Sequence, residues 1–372
     1  MSEQTKIQWC DSTHNFWQGC TEVSPGCANC YAKARDIRFS DGAHWGKGAP
    51  RIRSKSFNEP LKWNKLPWVC NCPKPGGLEN GLRFYSDDFA WTEAELESGK
   101  PFCAECGQPL HRRRVFSLSL GDIFDVEAPV QDLADAFDVI RRCPNLDWLL
   151  VTKRIEHAPA RINQVIELCT KTGNSMLGLW LCEWLLEKLP PENVMIISTL
   201  ESQDQDWRVE KLLQFPAARR GLSIEPMLGP VDLTRVNNDG VNMTDCLRGW
   251  TLLDGRNEPV EHAKIDWVIV GGESGQKARP FNVDCARAIV RQCQAAGVPV
   301  FVKQFGAKPV YTAAGFEFRS EDGLDNVRAH WHDPKFFIPW NSLHNSAPKV
   351  NHPKGGDMAE WPADLRVREF YK

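Results

Sequence analysis

Apolar residues come in short, dense runs along the chain rather than in strict alternation with polar ones. Val115 to Phe124 reads VFSLSLGDIF, Trp148 to Thr152 reads WLLVT, and Val194 to Leu200 reads VMIISTL. Gly221 to Glu225 (GLSIE), Ile265 to Val270 (IDWVIV) and Val298 to Val302 (VPVFV) continue the series. Runs of this kind, rich in Val and Ile, mark strands covered on both faces, as in a parallel sheet. Between them the apolar period lengthens to that of a helix, as in VQDLADAFDVIRRC and in VDCARAIVRQCQAAG, where Gly297 supplies a stop. With a short first strand at Lys6 to Trp9, about seven strands alternate with helices. The expected class is α/β: a complete or partial TIM-like (β/α) barrel, with a doubly wound open sheet as the rival.

Two stretches break the alternation. Residues 67–114 are rich in Pro, Gly and Cys and read as a Cys-rich metal-binding insertion between residues 1–66 and 115–306, which form the barrel core. Residues 307–372 read as a C-terminal extension that carries Trp331, Trp340 and Trp361 with little periodicity.

Composition adds little to this outline except in one respect. At 42% hydrophobic, 25% charged and a net charge of −3, the chain is an ordinary globular one without a single-sign tail, so a polyanion partner is neither demanded nor excluded. The first residues lack a basic region followed by an apolar one, and no run approaches the roughly 18 apolar residues of a membrane span. A cytoplasmic protein with no membrane partner is expected. Fourteen cysteines are many for such a protein, and in a reducing compartment close spacing points to metal ligation rather than disulfides.

The first cysteine group, GCTEVSPGCANCY, sets Cys20, Cys27 and Cys30 in a CX6CX2C pattern. Gly19, Pro25 and Gly26 make this a tight loop, so that the three thiolates can converge on one inorganic centre. Three protein ligands leave one coordination position for a substrate or cosubstrate. A zinc site that borrows Cys10 or His14 as its fourth ligand is the alternative. The second group pairs Cys70 and Cys72 with Cys103 and Cys106, the paired knuckles that suit tetrahedral zinc. An auxiliary iron–sulfur cluster or an insertion of free cysteines remains open. A metal would supply folding free energy that a segment so poor in apolar residues lacks. The adjoining basic run from His111 to Arg114 is read as a solvated cluster or as a grip on substrate. Cys143, Cys169, Cys182, Cys246, Cys285 and Cys293 lie in apolar or helical stretches and are expected in the core.

In a barrel the chemistry gathers where the strands end. Ser119 and Asp122, Lys153 and Arg154, Glu201 and Ser202, Glu225, Gly271, Gly272 and Glu273, and Lys303 and Gln304 all stand at such ends. Taken singly, each has a bland reading: Lys153 and Glu225 as a buried ion pair, and GGESG as a turn.

WQGCTEVSPGCANCYA, SLGDIFD, LLVTKR, GLSIEPMLGP and VIVGGESG together resemble the radical S-adenosylmethionine (SAM) superfamily, and within it the phage Gp37/Gp68-like family, over Phe16 to about Phe305. The resemblance implies a barrel of the radical SAM type with a 4Fe-4S cluster on Cys20, Cys27 and Cys30, whose open iron is chelated by SAM. It further implies reductive cleavage of SAM to methionine and a 5′-deoxyadenosyl radical, with an electron donor such as flavodoxin or ferredoxin. Ser119, Asp122, Arg154, Glu201, Ser202, Gly271 and Gly272 are then the candidates to hold SAM, and Lys153, Glu225 and Glu273 the candidates for proton or hydrogen-atom transfer. The implied substrate is a modified nucleobase, with isomerisation of an amino-acid-substituted thymine in phage DNA hypermodification, in the host cytoplasm, as its most specific form. A repair lyase resembling spore photoproduct lyase is the second enzyme reading. A zinc-dependent nucleic-acid-binding module without redox chemistry is the reading from another class.

Overall fold

The computed structural model describes residues 3–72, 82–86, 92, 95, 99–236, 242–254, 258–312, 337–339 and 351–371. Trp331 and Trp340 lie outside the described residues. Seven parallel strands form one curled sheet that stays open, in the chain order expected of successive strand–helix units. They are β1 (Ser12–His14), β2 (Arg114–Ser117), β3 (Asp147–Thr152), β4 (Val194–Thr199), β5 (Arg219–Ile224), β6 (Trp267–Gly271) and β7 (Val300–Gln304). The class is mixed α/β with a half-barrel sheet, compatible with the partial form of the TIM-like fold.

The unbroken apolar runs have their explanation in the two faces of this sheet. On the outer face Val115, Trp148, Leu150, Ile196, Leu222 and Val268 pack under the helices. Those helices include α1 (Val130–Arg141), α2 (Ala158–Thr172) and α3 (Val283–Ala296). In α3, Ala286, Ile289, Val290 and Cys293 make the stripe that faces the sheet, and the helix ends at Gly297 with φ 68°. On the inner face Leu149, Met195, Ile197, Trp267, Ile269 and Phe301 meet side chains from both ends of the chain. Trp9 packs on Phe116 at 4.7 Å, while Phe370 and Tyr371 lie against Trp267 at 6.0 and 5.2 Å. The C-terminal segment thus fills the floor of the half-barrel, and Trp361 stacks on Phe305 at 4.7 Å.

Two boundaries differ from the sequence expectation. The first strand is Ser12–His14 instead of Lys6 to Trp9. Ile7 and Trp9 are apolar because they fill the barrel floor, and the backbone there turns, with Cys10 N–H donating to Ile7 O at 3.4 Å. The run from Val115 to Phe124 is strand only as far as Ser117. Leu118 takes φ 62°, a strained value for a branched side chain, and turns the chain across the strand ends.

In residues 67–114, Trp68–Cys70 pairs with Arg83–Tyr85 on one side and His111–Arg112 on the other, all antiparallel. The basic run beside it is solvated only in its first half, where Arg112 is exposed and His111 partly so. Arg113 is fully buried between Trp63 and Phe84 at 4.5 and 3.9 Å, and Arg114 makes two hydrogen bonds to the buried Asp11 at 3.1 and 2.9 Å. These arginines fasten the segment to the first strand. Cys143, Cys169, Cys246, Cys285 and Cys293 are buried, and Cys182 is partly so.

Candidate functional site

A cavity of about 810 Å³ opens at the C-terminal ends of the strands, within the range of a small-molecule site. Cys20, Cys27 and Cys30 all line it. So do Ser119, Asp122, Lys153, Arg154 and Glu225 among the strand-end candidates, together with Lys303 and Gln304. Phe116 and Val151 give it an apolar wall. Neither Cys10 nor His14 faces this space. Cys10 belongs to the floor, and His14 is wholly buried against Phe16 and Trp63 on the other side of the first strand.

The cysteine loop is short and heavily anchored. Gly19 has φ 114°, and a Cβ there would stand 2.6 Å from His44 O, so the loop can enter only through glycine. Pro25–Cys27 form one 3₁₀ turn. A Cβ on Gly26 would lie 2.4 Å from Glu201 Oε1, which shows how closely the loop sits on that carboxylate. Cys30 is the residue immediately before the helix Tyr31–Ser40, whose free amides face it. Burial raises the Cys30 thiol, while the Lys33 and Ala32 amides pull the other way. Burial pushes the Cys20 thiol up to about 12, against the pull of Arg154. As free thiols, both therefore stay protonated at neutral pH, and ligation is what would deprotonate them.

Several candidates turn out to serve the loop. Glu201 is fully buried, accepts from Ser24 Oγ at 2.5 Å and from Arg208 at 2.9 Å, and lies 3.4 Å from Lys153 Nζ. Burial raises its carboxyl, but Lys153 and Arg208 hold it below the usual carboxylate range. Glu273 accepts from Asn29 Nδ2 at 3.0 Å and pairs with Arg279, whose other arm reaches Pro25 O at 2.9 Å. Ser202 caps the short helical turn Gln203–Gln205. Gly271 and Gly272 sit where strands crowd: a Cβ would meet Glu225 Oε1 at 2.6 Å or Phe305 O at 2.4 Å. The Gly272 amide is spent on Gln304 O at 2.9 Å. None of Glu201, Ser202, Gly271, Gly272 and Glu273 lines the cavity.

The Lys153–Glu225 ion pair, the alternative to a site role for these two residues, is not formed. Lys153 pairs with Glu201, and Glu225 pairs with Lys303 at 2.9 Å. The polar wall is completed by Asp122, which accepts from Thr152 Oγ1 at 2.7 Å and the Lys153 amide at 2.9 Å, and lies 3.3 Å from Arg154. Arg51 was not legible as a site residue. It is buried, joins Asp125 and Glu127 at 2.7 Å each, and donates to Thr21 Oγ1 at 2.8 Å, so it braces the loop from behind. His352 and Lys354 of the C-terminal segment reach the cavity rim, and they too were missed.

The family model "Protein of unknown function (DUF5131)" matches residues 4–333. The chain belongs to the DUF5131 family. No curated protein and no solved structure matches it. The matched range takes in the seven strands, the cysteine loop and the second cysteine group of this DUF5131 chain.

That second group is compact. Cys70, Cys72, Cys103 and Cys106 bring their sulfurs within 4.8 Å of one another, with Cys70–Cys106 at 3.5 Å and Cys72–Cys103 at 3.7 Å. Four thiolates around a tetrahedral zinc stand about 3.8 Å apart, as follows from a Zn–S length of about 2.3 Å. The group is therefore suited to metal binding. Tyr85 Oη lies 3.1 Å from Cys103 Sγ, a fixed partner of the kind that orients metal ligands. No helix of the described residues is long and apolar enough to cross a membrane.

Proposed function

We propose that the DUF5131 chain is a radical SAM enzyme, with Cys20, Cys27 and Cys30 as the ligands of a 4Fe-4S cluster and a modified nucleobase as its substrate. The observation that carries this reading is the opening of three thiols, and only three cysteines, onto one large cavity at the strand ends. The donor set fits the cluster: three soft ligands on a loop fixed at Ser24, Asn29 and Pro25, with space beside them for a cosubstrate. When bound, the cluster supplies one electron for reductive cleavage of SAM, drawn from a carrier such as flavodoxin or ferredoxin.

The chain's own residues then bind and orient. SAM presents a carboxylate, an ammonium and ribose hydroxyls, and the wall offers Lys153 and Lys303 as cations, Glu225 as an acid, and Ser119 as a hydroxyl. Each cation is already paired, Lys153 with Glu201 and Lys303 with Glu225, so charge is preset where a zwitterion is to be held. Phe116 and Val151 give the same space an apolar wall for the uncharged parts of a ligand. Lys153 and Glu225 are the groups placed to move a proton at the cavity wall. Zinc is proposed at Cys70, Cys72, Cys103 and Cys106, where it would join the ends of the antiparallel segment.

Isomerisation of an amino-acid-substituted thymine is the specific form of the proposal, because moving a substituent between nitrogen and carbon on an unactivated centre requires hydrogen abstraction beyond the reach of acid–base groups. Incubation of the reduced, reconstituted protein and SAM with DNA carrying such a base, followed by mass analysis of the nucleosides, tests it. A product of unchanged mass and altered retention is expected. Loss of mass indicates a lyase, and unaltered nucleosides contradict the nucleobase reading.

A further inference from the structure

Arg154 stands apart from the other cations of the cavity in what it touches. Its two terminal nitrogens each lie 3.3 Å from Cys20 Sγ, and Nη2 also donates to Thr21 O at 2.6 Å. The side chain is almost wholly buried. It is held from behind by Asp122 at 3.3 Å, and the Thr152 hydroxyl and the Lys153 amide fix that carboxylate in turn. The Arg154 amide bonds Thr152 Oγ1 at 2.9 Å, so the backbone is tied into the same network. A guanidinium is planar, permanently charged and forked, and two of its donors converge here on one sulfur.

We infer that Arg154 is a positioning residue for Cys20, holding that sulfur in place as a ligand and raising the reduction potential of the cluster bound to it. The inference rests on the proposed cluster and assigns the residue to the ligand sulfur in place of the SAM carboxylate. The physical basis is that a donor to a ligand sulfur withdraws electron density from the metal, so that the added negative charge of the reduced state is better tolerated. The buried cation 3.3 Å away acts in the same direction, opposed in part by the Asp122 carboxylate that holds it from behind, so the direct N–H donation to sulfur carries the effect. Lys153 and Lys303 pair with Glu201 and Glu225, and Lys153 acts on Cys30 only through its charge, whereas Arg154 donates directly to a ligand sulfur.

The test is a potentiometric titration, followed by electron paramagnetic resonance, of the full chain after anaerobic reconstitution, as wild type, R154K and R154Q. The midpoint is expected to fall in R154Q and to lie between the two in R154K, which keeps a charge and loses the fork. Resonance Raman spectra of the wild type in H2O and D2O provide a second reading, with a shift in the Fe–S(Cys) stretches expected from an N–H donor to sulfur. If R154Q folds by circular dichroism but loses iron, the holding half of the assignment is supported, and the titration of R154K and the Raman shift decide the other half. Equal midpoints in variants that carry full iron and sulfide, or Fe–S stretches indifferent to D2O, overturn the inference. A wild type that takes up no iron and sulfide contradicts the cluster itself, an outcome distinct from either.

Discussion

Removing the Glu201 carboxylate should loosen the cysteine loop and destabilise the chain together. In E201A, Arg208 loses its partner at 2.9 Å while its side chain stays 2% exposed, and Ser24 loses the acceptor that pins the loop at 2.5 Å. Breaking a buried pair from one side costs on the order of 3–5 kcal/mol, because a charge is left without compensation. Arg208 keeps Thr199 O at 3.0 Å and Lys153 is partly open to solvent, so about 3 kcal/mol is the expected loss. Urea unfolding of the metal-free chain measures it. The pH dependence follows from the same carboxylate. Its folded pKa is depressed, so its contribution is present above the ordinary carboxylate range and is lost as pH falls through the lowered value. The gap between wild type and E201A should therefore narrow in acid. A gap under about 0.5 kcal/mol at pH 7, or one that widens in acid, would refute the anchoring role.

Two further outcomes are expected. His14 is buried, and burial pulls its imidazole down to about 3, so the unfolded chain gains a proton near pH 6.5 that the folded chain does not. Between pH 7 and pH 5 this should lower stability by about 2 kcal/mol in the wild type, and urea unfolding of H14Q at the two values should show that much less dependence. C103S should lose its bound metal and expose residues 67–114 to protease, while the iron and sulfide of the cysteine loop stay as in the wild type; elemental analysis of both proteins, with zinc equal in the two as the contrary result, checks this.

Most of the sheet was legible because its strands are covered twice, by helices outside and by the inner plug, which erases polar alternation. The first strand was not. Ser12, Thr13 and His14 are polar and only three residues long, whereas Ile7 and Trp9 look like a strand because they are apolar for another reason, the filling of the floor. The tail was equally opaque: Trp361, Phe370 and Tyr371 follow no period, and only tertiary contacts with Phe305 and Trp267 give them their places. In the site, strand-end logic gathered Asp122, Lys153, Arg154 and Glu225 on one cavity. It could not tell a residue that faces the cavity from one that turns back to hold the loop, since Glu201 and Glu273 stand at strand ends just as Glu225 does. Arg51 gave no signal at all, because its partners Asp125 and Glu127 lie more than 70 residues away.

The central claim is that Cys20, Cys27 and Cys30 make a redox centre that acts on SAM. Anaerobic reconstitution with iron and sulfide, reduction, and measurement of 5′-deoxyadenosine from SAM in wild type and C27A test it most directly. The account predicts roughly four irons per chain at this loop and 5′-deoxyadenosine from the wild type, with both lost in C27A. A wild-type chain that binds zinc alone and leaves SAM intact would contradict it.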